Sequence, residues 1–122
     1  MSQSPTVFNR QAVRRHRSRA APGLAGYDFL FRETAERLAD RLQDVKRRFP
    51  LALDLGCHSG QMARALKGRG GVETLIECDL SPAMVRVAAQ GTAQEAAQGT
   101  AQGTAGGRAP RGLRRLALAA DE

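Results

Sequence analysis

A chain of 122 residues, 42% hydrophobic and 25% charged, has the make-up of one small globular domain, and with 4% aromatics and no Trp its core must rest on Leu, Ala and Val. Its formal charge of +7, from 19 Lys and Arg against 12 Asp and Glu, bears on association rather than on fold. No apolar run approaches the ~20 residues of a membrane span, no secretory h-region opens the chain, and Cys57 and Cys78, outside any CxxC pair, are too few for a disulfide framework and suit a reducing compartment.

Much of the positive charge is local: Arg10, Arg14, Arg15, Arg17 and Arg19 all precede the first acid, Asp28. Residues 1–26 read as a solvated basic arm, partly helical, in preference to a nucleic-acid contact. From Tyr27 to Phe49, apolar residues fall at Phe31, Ala35, Leu38, Leu42, Val45 and Phe49, which predicts a helix with one apolar face, closed by Pro50. Leu51 to Leu55 reads as a strand, and a glycine-bearing loop leads to a helix from Gln61 to Lys67. Gly68, Gly70 and Gly71 stop that helix, and Val72 to Cys78 reads as a second strand. Ser81 and Pro82 then supply an N-cap and a proline at the first helical position.

Two βα units in tandem predict a parallel sheet with helical crossovers. Residues 91–112 break into four-residue units of the type Ala-Gln-Gly-Thr, whose recurring Gly costs up to ~1 kcal/mol in a helix relative to Ala; they are expected to be a flexible low-complexity insertion. Leu113 to Ala120 returns as a third strand. The fold class expected is α/β, three parallel strands with flanking helices, forming the N-terminal half of a Rossmann-like sheet over residues 27–122.

The chemistry concentrates in Leu51-Ala-Leu-Asp54-Leu-Gly56-Cys-His-Ser-Gly60 and in Asp79, 19 residues after Gly60. A glycine after a strand lets the backbone turn with positive φ and approach a ligand closely, ahead of a helix with free N–H groups. An acid at the tip of the second strand is placed to accept two ribose hydroxyls. The loop lacks the G-x-G-x-x-G spacing that seats a pyrophosphate, and Asp54 would repel one. The same acid suits a cationic ligand, so an S-adenosylmethionine site is favoured over a dinucleotide site.

Val7-Phe-Asn-Arg10, Arg19-Ala-Ala21, Tyr27-Asp-Phe-Leu30, Ala39-Asp-Arg-Leu42 and Phe49-Pro-Leu-Ala-Leu-Asp-Leu-Gly-Cys57 together resemble the methyltransferase-like assembly factors of respiratory complex I, relatives of the biotin-pathway malonyl-carrier-protein O-methyltransferases. These belong to the class I S-adenosylmethionine-dependent methyltransferase-like family. The closing Leu118-Ala-Ala-Asp-Glu122 is similar to the family's third strand and its acidic tip.

The resemblance implies that Asp54, Gly56 and Gly60 line the methionine moiety, Asp79 holds the ribose hydroxyls, Leu80 packs on the adenine and Asp121 meets its amine. Tyr27 is expected to help cover the cofactor. It implies S-adenosylmethionine as cofactor, no metal, and, in the assembly-factor branch, hydroxylation of an arginine on an iron–sulfur subunit of complex I, whereas other relatives methylate; no catalytic residue is identified. Because the likeness begins at Val7, an Arg-rich start that mildly resembles a transit peptide is expected to be part of the domain. The setting implied is the cytoplasm of a bacterium or the mitochondrial matrix of a eukaryote.

His58 stands where the family often has glycine, and is expected as a loop side chain facing water. Cys57, Cys78, Met62 and Met84 are expected to pack as apolar groups. The chain reads as an N-terminal fragment in which strand one lacks its second neighbour and exposes an edge. Two functions stay open: an enzyme active when completed by further sequence or a partner, and an inactive fragment or non-catalytic binding module.

Overall fold

The structure is a computed structural model that describes residues 8–99 and 114–119. Helix α1 (Arg10–Ala20) opens it, started by Asn9, whose side chain accepts from the Ala12 N–H. A 3-10 turn over Ala21–Gly26 leads into α2 (Phe29–Gln43). Strand β1 (Leu51–Leu55), α3 (Gln61–Leu66), β2 (Thr74–Asp79), α4 (Pro82–Gly99) and β3 (Arg114–Ala119) follow.

The three strands are parallel in the order β1-β2-β3, with Leu53 beside Ile76 and Ile76 beside Leu116. Strand one therefore lies at an edge, as the sequence implies. Both crossovers advance in one direction, so their right-handedness puts α3 and α4 on the same side of the sheet. That side carries Ala52, Asp54, Leu75, Glu77, Asp79, Arg115 and Ala117. Its core is Ala63, Leu66, Val72 and Leu75, packed with Leu42, Phe49, Ala52 and Met62. Small residues let α2 and α3 approach closely at Ala35, Ala39 and Ala65.

The opposite side of the sheet is uncovered by any described element. Leu51, Leu53, Leu55, Leu116 and Leu118 stand there between 50% and 78% exposed. A parallel sheet is normally covered on both faces, so this one is half dressed.

Two elements differ from the sequence reading. Helix α2 ends at Gln43 instead of continuing to Phe49, because the chain must turn back: a residue before proline disfavours helical backbone, and the Phe49 N–H donates to the Gly70 carbonyl at 2.9 Å. Helix α4 runs on to Gly99, through residues expected to be a flexible insertion. The period of four is close to a helical turn, and the alanines favour the helix enough to carry the backbone through Gly91. The rest of the repeat, residues 100–112, lies outside the described residues.

The basic segment is likewise more than a solvated arm. It forms α1, which packs on α4 and sets Arg17 and Ser18 against the end of β2.

Candidate functional site

The loop after β1 is tied to the tip of β2 by its backbone. The Gly56 and Cys57 N–H groups both donate to the Cys78 carbonyl, at 2.7 and 2.9 Å. This closure needs left-handed backbone at Gly56 (φ 81°), His58 (φ 54°) and Gly60 (φ 84°), two of them the glycines singled out in the sequence. At Gly56 a Cβ would meet nothing within 4 Å, so its backbone is open to close approach. At Gly60 a Cβ would meet Arg115 Nη2 at 2.8 Å, Glu77 Oε1 at 3.0 Å and Ala88 Cβ at 3.1 Å. Gly60 thus lies behind the loop, letting it pack on β2 and α4, and does not line the crevice where the sequence reading set it.

Beside this loop is a cavity of about 380 Å³, walled by Leu30, Phe31 and Leu38 of α2, Met62 of α3, and Asp54, Gly56 and His58. Asp54 and Gly56 are therefore brought together, as expected. Asp54 Oδ2 is buried without a hydrogen-bond partner. Burial first, then the Glu77 and Asp79 carboxylates, push the Asp54 carboxyl above its ordinary value, with Arg115 opposing. A cationic group arriving here would oppose both causes and favour the ionised carboxylate.

Asp79 is 1% exposed and accepts three hydrogen bonds. Its Oδ1 accepts from the Ser81 N–H at 2.8 Å, and its Oδ2 accepts from the His58 N–H at 2.9 Å and from Arg17 Nη1 at 3.0 Å. The two backbone donors hold the carboxylate behind the loop, and neither Asp79 nor Leu80 lines the cavity. Arg17 reaches it from 62 residues away, across the cavity mouth. Leu80 follows Asp79, half-buried, while Tyr27 is 79% exposed at the end of the 3-10 turn and does not line the cavity. Asp121 lies outside the described residues.

His58 corrects an expectation. It does not face water but stacks on Phe31, with ring centroids 4.5 Å apart and planes 19° off parallel. Its left-handed backbone directs the ring into the crevice wall. Burial, then the Arg17 guanidinium, hold its pKa below 6.5, with Asp79 and Asp28 opposing, so the ring is neutral at neutral pH. Burial, reinforced by the Glu77, Asp54 and Asp79 carboxylates and by Cys78, pushes the Cys57 thiol up to about 12, which leaves it a packed, protonated group and no nucleophile. Met84 is wholly buried.

Sequence reasoning missed Arg17, Phe31 as a stacking partner, and Gln61, which lines the cavity and donates to Ser59 Oγ. Only Phe31 had a signal, as the first member of the apolar stripe of α2. Among the described residues no group of three or more His, Cys, Asp or Glu is placed to hold a metal, and no helix is long and apolar enough to cross a membrane.

Residues 53–106 match the family model of the methyltransferase domain. Over 86 residues the chain is 41% identical to the mitochondrial arginine-hydroxylase NDUFAF5 of Danio rerio, covering 69% of this chain and 26% of that protein. Over 62 residues it is 44% identical to the protein of the same name from Homo sapiens, covering 49% of this chain and 18% of that one. The chain thus spans about a quarter or less of the length of these curated relatives. A crystal structure from Methanococcus maripaludis, assigned as a candidate S-adenosyl-L-methionine-dependent methyltransferase, aligns over 97% of this chain and 45% of its own, with 14% identity and a TM-score of 0.47.

Proposed function

We propose, on the premise that this chain carries a class I S-adenosylmethionine methyltransferase-type domain related to the arginine-hydroxylase NDUFAF5 proteins, that the crevice between the β1 loop and the tip of β2 binds S-adenosylmethionine. The observation that carries this reading is Asp54, which lines a cavity with largely apolar other walls and whose Oδ2 is a buried acceptor without a donor. A lone buried carboxylate oxygen among other carboxylates is costly until a positively charged N–H group meets it. The ammonium of the cofactor is such a group, and the open backbone at Gly56 admits its chain.

In this reading Asp79 accepts the ribose hydroxyls, Leu80 packs on the adenine and Asp121 accepts from its amine. Phe31, Leu38 and Met62 exclude water from the methionine end. When bound, the cofactor supplies an electrophilic methyl group on a positively charged sulfur. The protein would act as a methyltransferase-like factor on an iron–sulfur subunit of respiratory complex I during assembly, modifying an arginine, in a mitochondrial matrix or a bacterial cytoplasm. The names of the relatives support the arginine acceptor and the mitochondrial setting. The Arg17–Asp79 ion pair favours a second reading, a non-catalytic assembly module, since it fills the acceptor that ribose needs.

Calorimetric titration of the whole chain with S-adenosylhomocysteine tests the first reading. Saturable binding that weakens about tenfold or more in Asp79→Ala supports it, in keeping with the loss of hydrogen bonds to a charged group. Absence of binding by the folded chain, or binding indifferent to that substitution, leaves the module reading.

A further inference from the structure

We propose that α1 is a displaceable latch on the adenosyl site, in which the Arg17 guanidinium and a ligand's ribose compete for the Asp79 carboxylate. This rests on the adenosyl reading above. An ionised carboxylate offers about four lone-pair positions. Three of Asp79's contacts are already made, to the Ser81 N–H, the His58 N–H and Arg17 Nη1. The first two are backbone groups of the crevice itself and stay in place. A ribose diol needs two positions, so Arg17 has to withdraw.

The build of α1 allows that withdrawal. It packs on α4 with none of its residues fully buried, Ala12 and Val13 being half-buried, so its hold on the domain is shallow. Two side-chain contacts join it to the crevice rim, Arg17 to Asp79 at 3.0 Å and Ser18 Oγ to Ser81 Oγ at 2.8 Å. The Arg17 side chain is 38% exposed, so water can replace its partner as it leaves. The last turn of the helix, which carries Arg17 and Ser18, runs straight into a 3-10 turn holding Pro22, Gly23 and Gly26, whose first residue, Ala21, is buried. Ligand binding and release of α1 by withdrawal of Arg17 from Asp79 are then one equilibrium, and each biases the other equally.

Hydrogen exchange of the α1 amides, read with and without S-adenosylhomocysteine in the full chain, tests the latch. In the wild-type protein the ligand is expected to speed exchange across residues 10–20. In Arg17→Gln, exchange is expected to be fast already and unchanged by ligand, and S-adenosylhomocysteine to bind about three- to fivefold tighter, the value of a part-exposed ion pair. Arg17→Lys, which keeps the charge, should restore part of the protection. Binding by Arg17→Gln alone also supports the latch. It is overturned by ligand binding that leaves or increases α1 protection, by Arg17→Gln protection equal to wild type, or by weaker binding in Arg17→Gln. Failure of both proteins to bind removes the adenosyl reading and the latch with it, whereas binding with unaltered α1 removes the latch alone.

Discussion

Asp54 is placed for binding at some cost to stability. Its folded pKa lies above the unfolded value of 3.8. As pH rises past 3.8 the unfolded chain loses this proton first, so stability falls until the folded carboxyl also ionises, and it stays lower at neutral pH. Asp54→Asn is therefore expected to raise the thermal midpoint by a few degrees while weakening S-adenosylmethionine binding about tenfold or more. Scanning calorimetry and titration check the pair of effects; a lower midpoint with intact affinity would contradict the assignment. His58 works in the other sense. Its folded pKa lies below 6.5, so the stability it contributes is present above pH 6.5 and is lost as pH falls toward the folded value. His58→Gln is expected to flatten that acid limb in pH-dependent urea unfolding, and an unchanged slope would count against the half-buried, stacked ring. At this scale the placement of Asp54 in β1, Gly56 just after it and Asp79 at the end of β2 was legible, because spacing along one βαβ unit carries it. It could not disclose Arg17, whose contact with Asp79 depends on how α1 packs on α4.

The elements are joined by a buried charge pair as much as by apolar packing. Arg115 of β3 donates to both Glu77 oxygens of β2, each at 2.9 Å, and to the Ala88 carbonyl of α4 at 3.2 Å, with both side chains 3% exposed or less. Removing one partner strands the other in a low dielectric. Glu77→Gln or Arg115→Met alone is expected to cost about 3–5 kcal/mol, most of what a domain this small holds. The combination Glu77→Leu with Arg115→Met is expected to recover most of the loss in urea unfolding. A double variant as unstable as the sum of the singles would show no coupling between the two side chains and contradict the buried pair. Strand positions were legible from apolar runs, since Leu51–Leu55 and Arg114–Ala119 fall inside the stretches expected. The end of α2 was not: Val45 and Phe49 continue its stripe, but the turn into Pro50 overrides the period. The reach of α4 to Gly99 was missed because Gly in the repeat was weighed and the intervening alanines were not.

Across the whole molecule, strand order decides what is covered. A sheet that grows only from β1 through β2 to β3 places both crossover helices on one face. The leucine row of the other face therefore meets nothing described, a larger apolar exposure than a small soluble domain usually shows. The parallel strands were foreseeable from the tandem βα units, whereas the bare face required knowing that, among the described residues, the order runs β1-β2-β3 without reversal. The chain is expected to bind a hydrophobic dye in its native state and to sediment as concentration-dependent assemblies. Leu53→Lys with Leu116→Lys should reduce both without lowering helix content. Unchanged dye binding in the double variant would mean that this face is covered in solution. Dye binding and self-association concern the scaffold; the crevice is tested by its own amides. In a two-dimensional NMR titration with S-adenosylhomocysteine, shifts are predicted at residues 54–58, at 79–81 and along α1, with little change at the β3 end of the sheet. No shift at Gly56, His58 and Asp79, or shifts confined to other elements, would contradict the account.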